Sequence, residues 1–223
     1  MREVILDTET TGLDPTAGDR IVEIGCLELV NHVSTGRVYQ QYINPEREMP
    51  ARAEEVHGLT SDFLSDKPLF RDVADDFLEF VGAATVIAHN ASFDLGFINA
   101  ELAQIDRPLI PENRVVDTIA IARRRFPGTQ ASLDALCRRF NVDNSARTKH
   151  GALLDAELLA EVYLELVGGR EPALALTEQG DGSAAAAVAK KEARIARPHH
   201  PTAQEEAAHN ALVDRLEGSL WRL

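Results

Sequence analysis

Early in the chain, apolar residues recur with the two-residue period of strands, and further along with the wider period of helices. Val4-Ile5-Leu6 lies in a strand-like run at 2–8, and Ile21 to Val30 partly alternates within 21–31. Val38, Tyr39, Tyr42 and Ile43 mark a third strand at 34–43, stopped by Asn44-Pro45. The turn-like Asn31-His32-Val33-Ser34-Thr35-Gly36 before it predicts an antiparallel meander. Phe70, Val73, Phe77 and Val81 then share one helical stripe over 70–81. Thr85-Val86-Ile87-Ala88 predicts a short buried strand, and Ser92 is placed to cap a helix carrying Phe93, Phe97, Ile98 and Leu102. Arg114 to Asp117 predicts another short strand, entering a helix at 118–125. Ser132 caps a helix with Leu133, Leu136 and Phe140 on its apolar side. The longest amphipathic pattern, 152–167, repeats Leu154, Leu158, Val162 and Leu166. Strands first and helices interleaved afterwards predict an α/β fold, a mixed central sheet flanked by helices.

The pattern breaks after Gly168-Gly169. Gly180-Asp181-Gly182-Ser183 and the alanines after it have no apolar period and suit a flexible linker. Residues 203–217 carry Ala208, Leu212, Val213 and Leu216, and the chain closes on Leu220-Trp221-Arg222-Leu223. A single amphipathic helix cannot bury its own apolar face. It packs back on the core or docks on a partner, and the linker favours docking, with Trp221 and the leucines as anchors.

At 223 residues and 44% hydrophobic, the chain holds one sizeable core and a small appendage. A formal net charge of −13 argues against broad adhesion to nucleic acid or acidic membranes. A polyanionic substrate is still compatible, since bound cations reverse the local field. Cys26 and Cys137 lack metal-ligand spacing and suit core thiols of a reduced, cytoplasmic protein. No leader-like segment precedes Val4, and no apolar stretch has the length to span a bilayer, so a soluble intracellular protein is expected.

Chemistry enters at Asp7-Thr8-Glu9, where strand alternation projects both carboxylates together while Thr8 points away. Two adjacent anions repel, and burying both calls for a cation such as Mg²⁺. Alone the pair has an ordinary explanation, because strand-end acids are usually solvated. Asp94 falls at a helix start, where the helix dipole by itself favours an acid. Asp155 borders the apolar stripe of the long helix, which is unusual for an unpaired acid. His150 precedes it by a short step across Gly151, which leaves the histidine's segment freedom to move.

Together these residues resemble the DEDDh 3′–5′ exonuclease family. Its motifs stand here as Asp7-Thr8-Glu9-Thr10-Thr11-Gly12, His89-Asn90-Ala91-Ser92-Phe93-Asp94 and His150-Gly151-Ala152-Leu153-Leu154-Asp155. The last spacing separates this branch from relatives that use tyrosine in place of the histidine. The resemblance spans about residues 3–167 and implies a ribonuclease H-like fold. It also implies two divalent ions, Mg²⁺ or Mn²⁺, which stabilise the attacking and leaving oxygens of phosphodiester hydrolysis. On that resemblance Asp7 bridges both ions, Glu9 and Asp155 complete one site, Asp94 serves the second, and His150 is the general base. Asp7, Glu9 and Asp155 then also face the substrate, with the backbone of Thr10 and Thr11, the Leu13 side chain and His57 around the terminal nucleotide. Where the best-known members carry, ahead of that histidine, an acid that contacts the terminal sugar, this chain has Arg52, a departure at the sugar contact and not at the chemistry. Arg123-Arg124-Arg125, Arg138-Arg139, Arg147 and Lys149 offer a basic tract for a strand backbone.

Within that family the chain is most similar to the proofreading epsilon subunits of bacterial DNA polymerase III. The similarity lies in Asn44-Pro45, Val56-His57-Gly58, Gly168-Gly169-Arg170, and a linker followed by a Trp-bearing end. It implies an exonuclease domain at 1–170, a flexible linker at 171–197 and a polymerase-binding segment at 198–223. The implied partners are a single-stranded DNA 3′ end, the polymerase alpha subunit, and other core or clamp subunits, in a nucleoid-associated replisome. Gln179 to Ala184, however, lacks the apolar residues a clamp-binding sequence needs. Two rivals share the core motifs: a DEDDh exoribonuclease trimming tRNA or short RNA, which normally lacks the tail, and a non-catalytic adaptor, against which the intact motif residues argue.

Overall fold

The computed structural model describes residues 1–145, 147, 149–168 and 201–215. By its internal contacts the chain divides into two units, Met1–Leu174 and Ala175–Leu223. The expected linker at 171–197, the Gly169-Arg170 ending and the segment from Leu216 through Trp221 lie outside the described residues.

In the first unit the meander forms as expected: β1 (Arg2–Thr10), β2 (Ile21–Val30) and β3 (Val33–Tyr42) pair antiparallel in sequence. Two short helices follow, α1 (Ala51–His57) and α2 (Ser61–Leu64), and then α3 (Phe70–Val81). β4 (Thr85–Ala88) joins β1 in parallel, and β5 (Val115–Asp117) joins β4 in parallel, giving the order β3-β2-β1-β4-β5. The helix α4 (Ala91–Gln104) lies between them in sequence; α5 (Thr118–Arg125), α6 (Leu133–Phe140) and α7 (Ala152–Leu166) come after. In the second unit α8 (Ala203–Val213) is closed at its start by a reciprocal bond pair, Thr202 with Glu205.

The alternation of β1 sorts the helices into two layers. Val4 and Leu6 pack with Phe70 and Phe77 of α3 and Phe97 and Leu102 of α4. Ile5 packs on the other face, with Leu136 of α6 and Ala156, Leu159 and Val162 of α7. All three strand residues are essentially unexposed, each contributing on the order of 1.5–3 kcal/mol of transfer free energy. Everything on the odd side of β1 therefore faces α7, and everything on the even side faces α4.

One expectation is corrected here. Ser92 does not cap α4; Asn90 does, in a left-handed conformation with φ 71°. Asparagine tolerates that region, and the Asn90 N–H donates to Asp117 Oδ1 at 3.1 Å, so the cap turns the chain sharply out of β4.

Candidate active site

Beyond Leu6 the odd side of β1 carries Asp7 and Glu9, and α7 brings Asp155 to meet them. The approach depends on two residues of β2. Gly25 pairs directly opposite Asp7, and a Cβ there would lie 2.2 Å from the Ala152 carbonyl carbon, so the start of α7 rests on bare backbone. Glu23, only 2% exposed, accepts the Ala152 N–H at 3.1 Å. This satisfies one of the free donors of the first turn, which also carries Asp155. As a result, ligand atoms of Glu9, His150 and Asp155 all lie within 4.8 Å of one another. Asp7 lines the same cleft, together with His89, Asp134, Arg147, His150 and Asp155.

Asp94 comes from the other layer. It is buried in the first turn of α4, and Thr8, on the even side of β1, donates to its Oδ1 at 2.7 Å. The residue between the two acids thus orients a third.

The acids sit in contrasting electrostatic states. Burial first, then the neighbouring Asp94, Glu9 and Asp155 charges, push Asp7 well above the usual carboxylate range. Burial likewise raises Glu9 to about 8, with Asp155 adding to it. Asp94 rises to about 7 through burial, against the opposing Thr8 hydrogen bond. Burial pushes Asp155 upward too, but hydrogen bonds from His150 and Arg147 outweigh it and hold this carboxyl low. His150 and Arg147 together compensate one carboxylate, while the Arg147 charge and the Thr8 hydrogen bond offset the burial of the others only in part. A buried set of hard oxygen donors plus an imidazole, short of positive charge, fits divalent metal ions.

His150 sits half exposed on the segment entering α7, its N–H donating to the Val56 carbonyl of α1 at 3.2 Å. Its Nδ1 is 3.2 Å from Asp155 Oδ2 and 2.8 Å from Arg147 Nη2. A protonated Nδ1 donates to the acid, and an unprotonated one accepts from the guanidinium, so the two bonds are alternatives.

A second cleft, about 510 Å³, opens beside Glu9 and is lined by Thr10, Thr11, Leu13, Arg52, His57 and Phe93 among others. Its rim is braced: the Thr11 N–H donates to the Arg20 carbonyl, the Arg20 N–H donates to Thr11 Oγ1, and the Arg20 guanidinium forks onto the buried Glu101 of α4 at 2.7 and 2.8 Å. Leu13 stands 78% exposed on that rim. His57 ends α1 and is buried; its Nδ1 accepts the Leu59 N–H at 3.0 Å, which places the ring proton on Nε2. Among the described residues Nε2 has no partner in hydrogen-bond geometry; burial holds the imidazole below its ordinary range, and the Thr10 carbonyl offsets this only in part. Nε2 is thus a donor on the wall of the cleft.

The basic tract is not assembled as expected. Arg125 donates to the Glu165 and Leu166 carbonyls and so closes the end of α7. Arg139 lies over the Phe126 ring, 4.3 Å from its centre. Arg147 is spent within the acid cluster. The roles of Glu23, Gly25 and Arg147 are features that strand and helix periods do not reveal.

A family model described as Exonuclease matches residues 4–163, most of the chain. The DNA polymerase III subunit epsilon of Rickettsia conorii is 49% identical over 222 residues, covering 97% of this chain and 96% of the relative. That of Escherichia coli is 43% identical over 236 residues, covering 99% and 97%. The chain belongs to the DNA polymerase III epsilon family of exonucleases. It is a proofreading 3′–5′ exonuclease, a hydrolase of the replicative polymerase. Such similarity along the full length, tail included, sets the exoribonuclease and adaptor readings aside. Among solved structures, exonuclease X in complex with 5′ overhanging duplex DNA matches at TM-score 0.58 with 26% identity, over 74% of this chain and 90% of that one. The nuclease domain of 3′hExo, a DEDDh member bound to rAMP, shares the fold at TM-score 0.64 and 18% identity, over 74% and 91%. Among the described residues, no helix is long and apolar enough to cross a membrane.

Proposed function

We propose that Asp7, Glu9, Asp94 and Asp155 hold two divalent ions and that His150 is the general base for removing the 3′-terminal nucleotide. The observation that carries this reading is the convergence of Glu9, His150 and Asp155 ligand atoms within 4.8 Å, beside the partly buried Asp7. Mg²⁺ suits the all-oxygen carboxylate set, and Mn²⁺ substitutes for it. When bound, the ions supply Lewis acidity and charge neutralisation for the attacking and leaving oxygens. Asp7, Glu9 and Asp155 on the α7 side and Asp94 on the α4 side are the carboxylates that would hold the ions, Asp7 being the one expected to serve both.

His150 takes a proton from the attacking water. The new bond forms from that oxygen to phosphorus, the bond from phosphorus to the penultimate 3′ oxygen breaks, and a nucleoside 5′-monophosphate leaves. The Thr10 and Thr11 backbone, the Leu13 side chain and the open His57 Nε2–H receive the terminal nucleotide in the adjoining cleft. A frayed end fits such a cleft more readily than a paired one, because unpairing is already complete. The segment at 198–223, on its linker at 171–197, binds the polymerase alpha subunit and keeps the 1–170 nuclease at high effective concentration.

The test is trimming of a 5′-labelled primer on a template, with matched or mismatched 3′ end, in Mg²⁺ and in Mn²⁺. The parent is expected to shorten the mismatched primer faster, one nucleotide at a time. His150→Ala is expected to slow it by roughly 10²–10⁴-fold, the range for a lost general base. Unchanged rates in His150→Ala, or in Asp7→Ala, would overturn the assignment, and strong preference for an RNA strand would overturn the substrate.

A further inference from the structure

Nothing in the reaction as derived uses Arg147, although its guanidinium occupies the heart of the acid cluster. Its side chain is 9% exposed, on the segment between α6 and α7 that also carries His150. Nε and Nη2 fork onto the two oxygens of Asp155 at 2.5 and 2.7 Å. Nη1 donates to Asp134 of α6 at 2.9 Å, and Nη2 lies 2.8 Å from His150 Nδ1. One planar cation thus engages both oxygens of one expected metal ligand and a nitrogen of the expected base.

An ion and this guanidinium compete for the same carboxylate. The bidentate pair takes one in-plane lone pair on each Asp155 oxygen, and His150 Nδ1 also approaches Oδ2 at 3.2 Å. Two cations a few ångströms apart in a water-poor cleft also repel strongly. Arg147 lies outside helix and strand, its backbone N–H donating to the Asn144 carbonyl at 3.0 Å, and the outer edge of the fork is held by the half-exposed Asp134. We propose that Arg147 is the built-in counter-ion of the metal-free site, displaced from Asp155 and His150 when a divalent ion binds. Metal loading and release of the His150 side chain are then one event, and metal affinity is set by competition with the arginine. The inference rests on the reading of Asp155 and His150 as site residues.

The test is calorimetric titration of Mn²⁺ into the metal-free full-length protein without DNA, alongside thermal melting with and without Mn²⁺. Arg147→Gln, which removes the competing charge, is expected to bind Mn²⁺ about tenfold more tightly than the parent. Without metal it should melt lower than the parent, and the gap should close at saturating Mn²⁺. Asp134→Asn, which touches no expected ligand, loosens the arginine's outer hold and should fall between the two in affinity. Equal or weaker Mn²⁺ binding by a folded Arg147→Gln overturns the proposal, and if that variant does not fold, unchanged affinity in Asp134→Asn overturns it. An Asp7→Asn variant separates the two levels: if it binds Mn²⁺ like the parent, the site reading itself fails.

Discussion

Asp155 and Glu9 have ligand atoms within 4.8 Å of each other, yet the Asp155 carboxyl is held low while Glu9 is pushed up to about 8. The difference is the pair of hydrogen bonds that His150 and Arg147 give to Asp155, and it has a pH signature. A carboxyl raised on folding contributes stability at low pH that is lost as pH climbs from its unfolded value through its folded one. For Glu9 that window runs from 4.5 to about 8. For Asp94 it runs from 3.8 to about 7. Asp155 acts in the opposite sense, its contribution being lost only as pH falls below the ordinary 3.8. The metal-free protein is therefore expected to lose Tm as pH rises through neutrality, and added Mg²⁺ to restore it while protons are released. Melting at several pH values, with calorimetry in buffers of different ionisation enthalpy, checks both; a metal-free Tm that rises across the window contradicts the account. The five motif residues were legible because their types and order form a pattern that ordinary surface acids do not. Arg147 was not, since a loop arginine's partner eight positions on is chosen by tertiary folding. Sequence reading placed it in a strand-guiding tract.

The element that assembles the site is α7, pinned along its length. Glu23 holds its first turn, Tyr163 donates to the fully buried Glu3 at 2.8 Å, and Arg125 closes its final carbonyls. Replacing Gly25 by alanine forces a methyl into the Ala152 backbone and should lower stability by about 1–3 kcal/mol, the usual range for overpacking. By pushing Asp155 away from Asp7, it should also weaken metal binding, which denaturant melts and Mn²⁺ titration would show. Glu23→Gln keeps an oxygen for the Ala152 N–H, whereas Glu23→Ala leaves that donor unsatisfied at a cost of roughly 1–3 kcal/mol. Equal stability of these two variants would mean that the cap is not what Glu23 supplies. Strong periods made the larger elements legible: the helices at 70–81 and 118–125 form at the expected bounds. The short α1 and α2 were missed, because seven and four residues are too few for a stripe to show. Asn90 displaced Ser92 as the cap because the exit from β4 needs a left-handed residue, a demand that serine's capping preference does not register.

For the molecule as a whole, a net charge of −13 and a DNA substrate are reconciled at the site, where bound cations replace missing surface charge. The two-layer fold was legible as a class, since the alternation of β1 and the later helical stripes require both sheet faces to be covered. The division of labour along the chain leads to a further expectation. Deleting residues 171–223 should leave trimming of single strands within about twofold while abolishing co-purification with the polymerase alpha subunit; proximity alone would be lost. Retained binding by the truncated protein would place the anchor in the first unit. The central claim is that the acids of β1, α4 and α7 form one metal centre. Anomalous diffraction at the manganese edge, from crystals soaked with Mn²⁺ and a nucleoside 5′-monophosphate, tests it most directly. The account predicts two peaks about 3.5–4 Å apart, with Asp7 between them and Arg147 withdrawn from Asp155. No peak among Asp7, Glu9, Asp94 and Asp155, or manganese bound with the Arg147 fork still closed on Asp155, would contradict it.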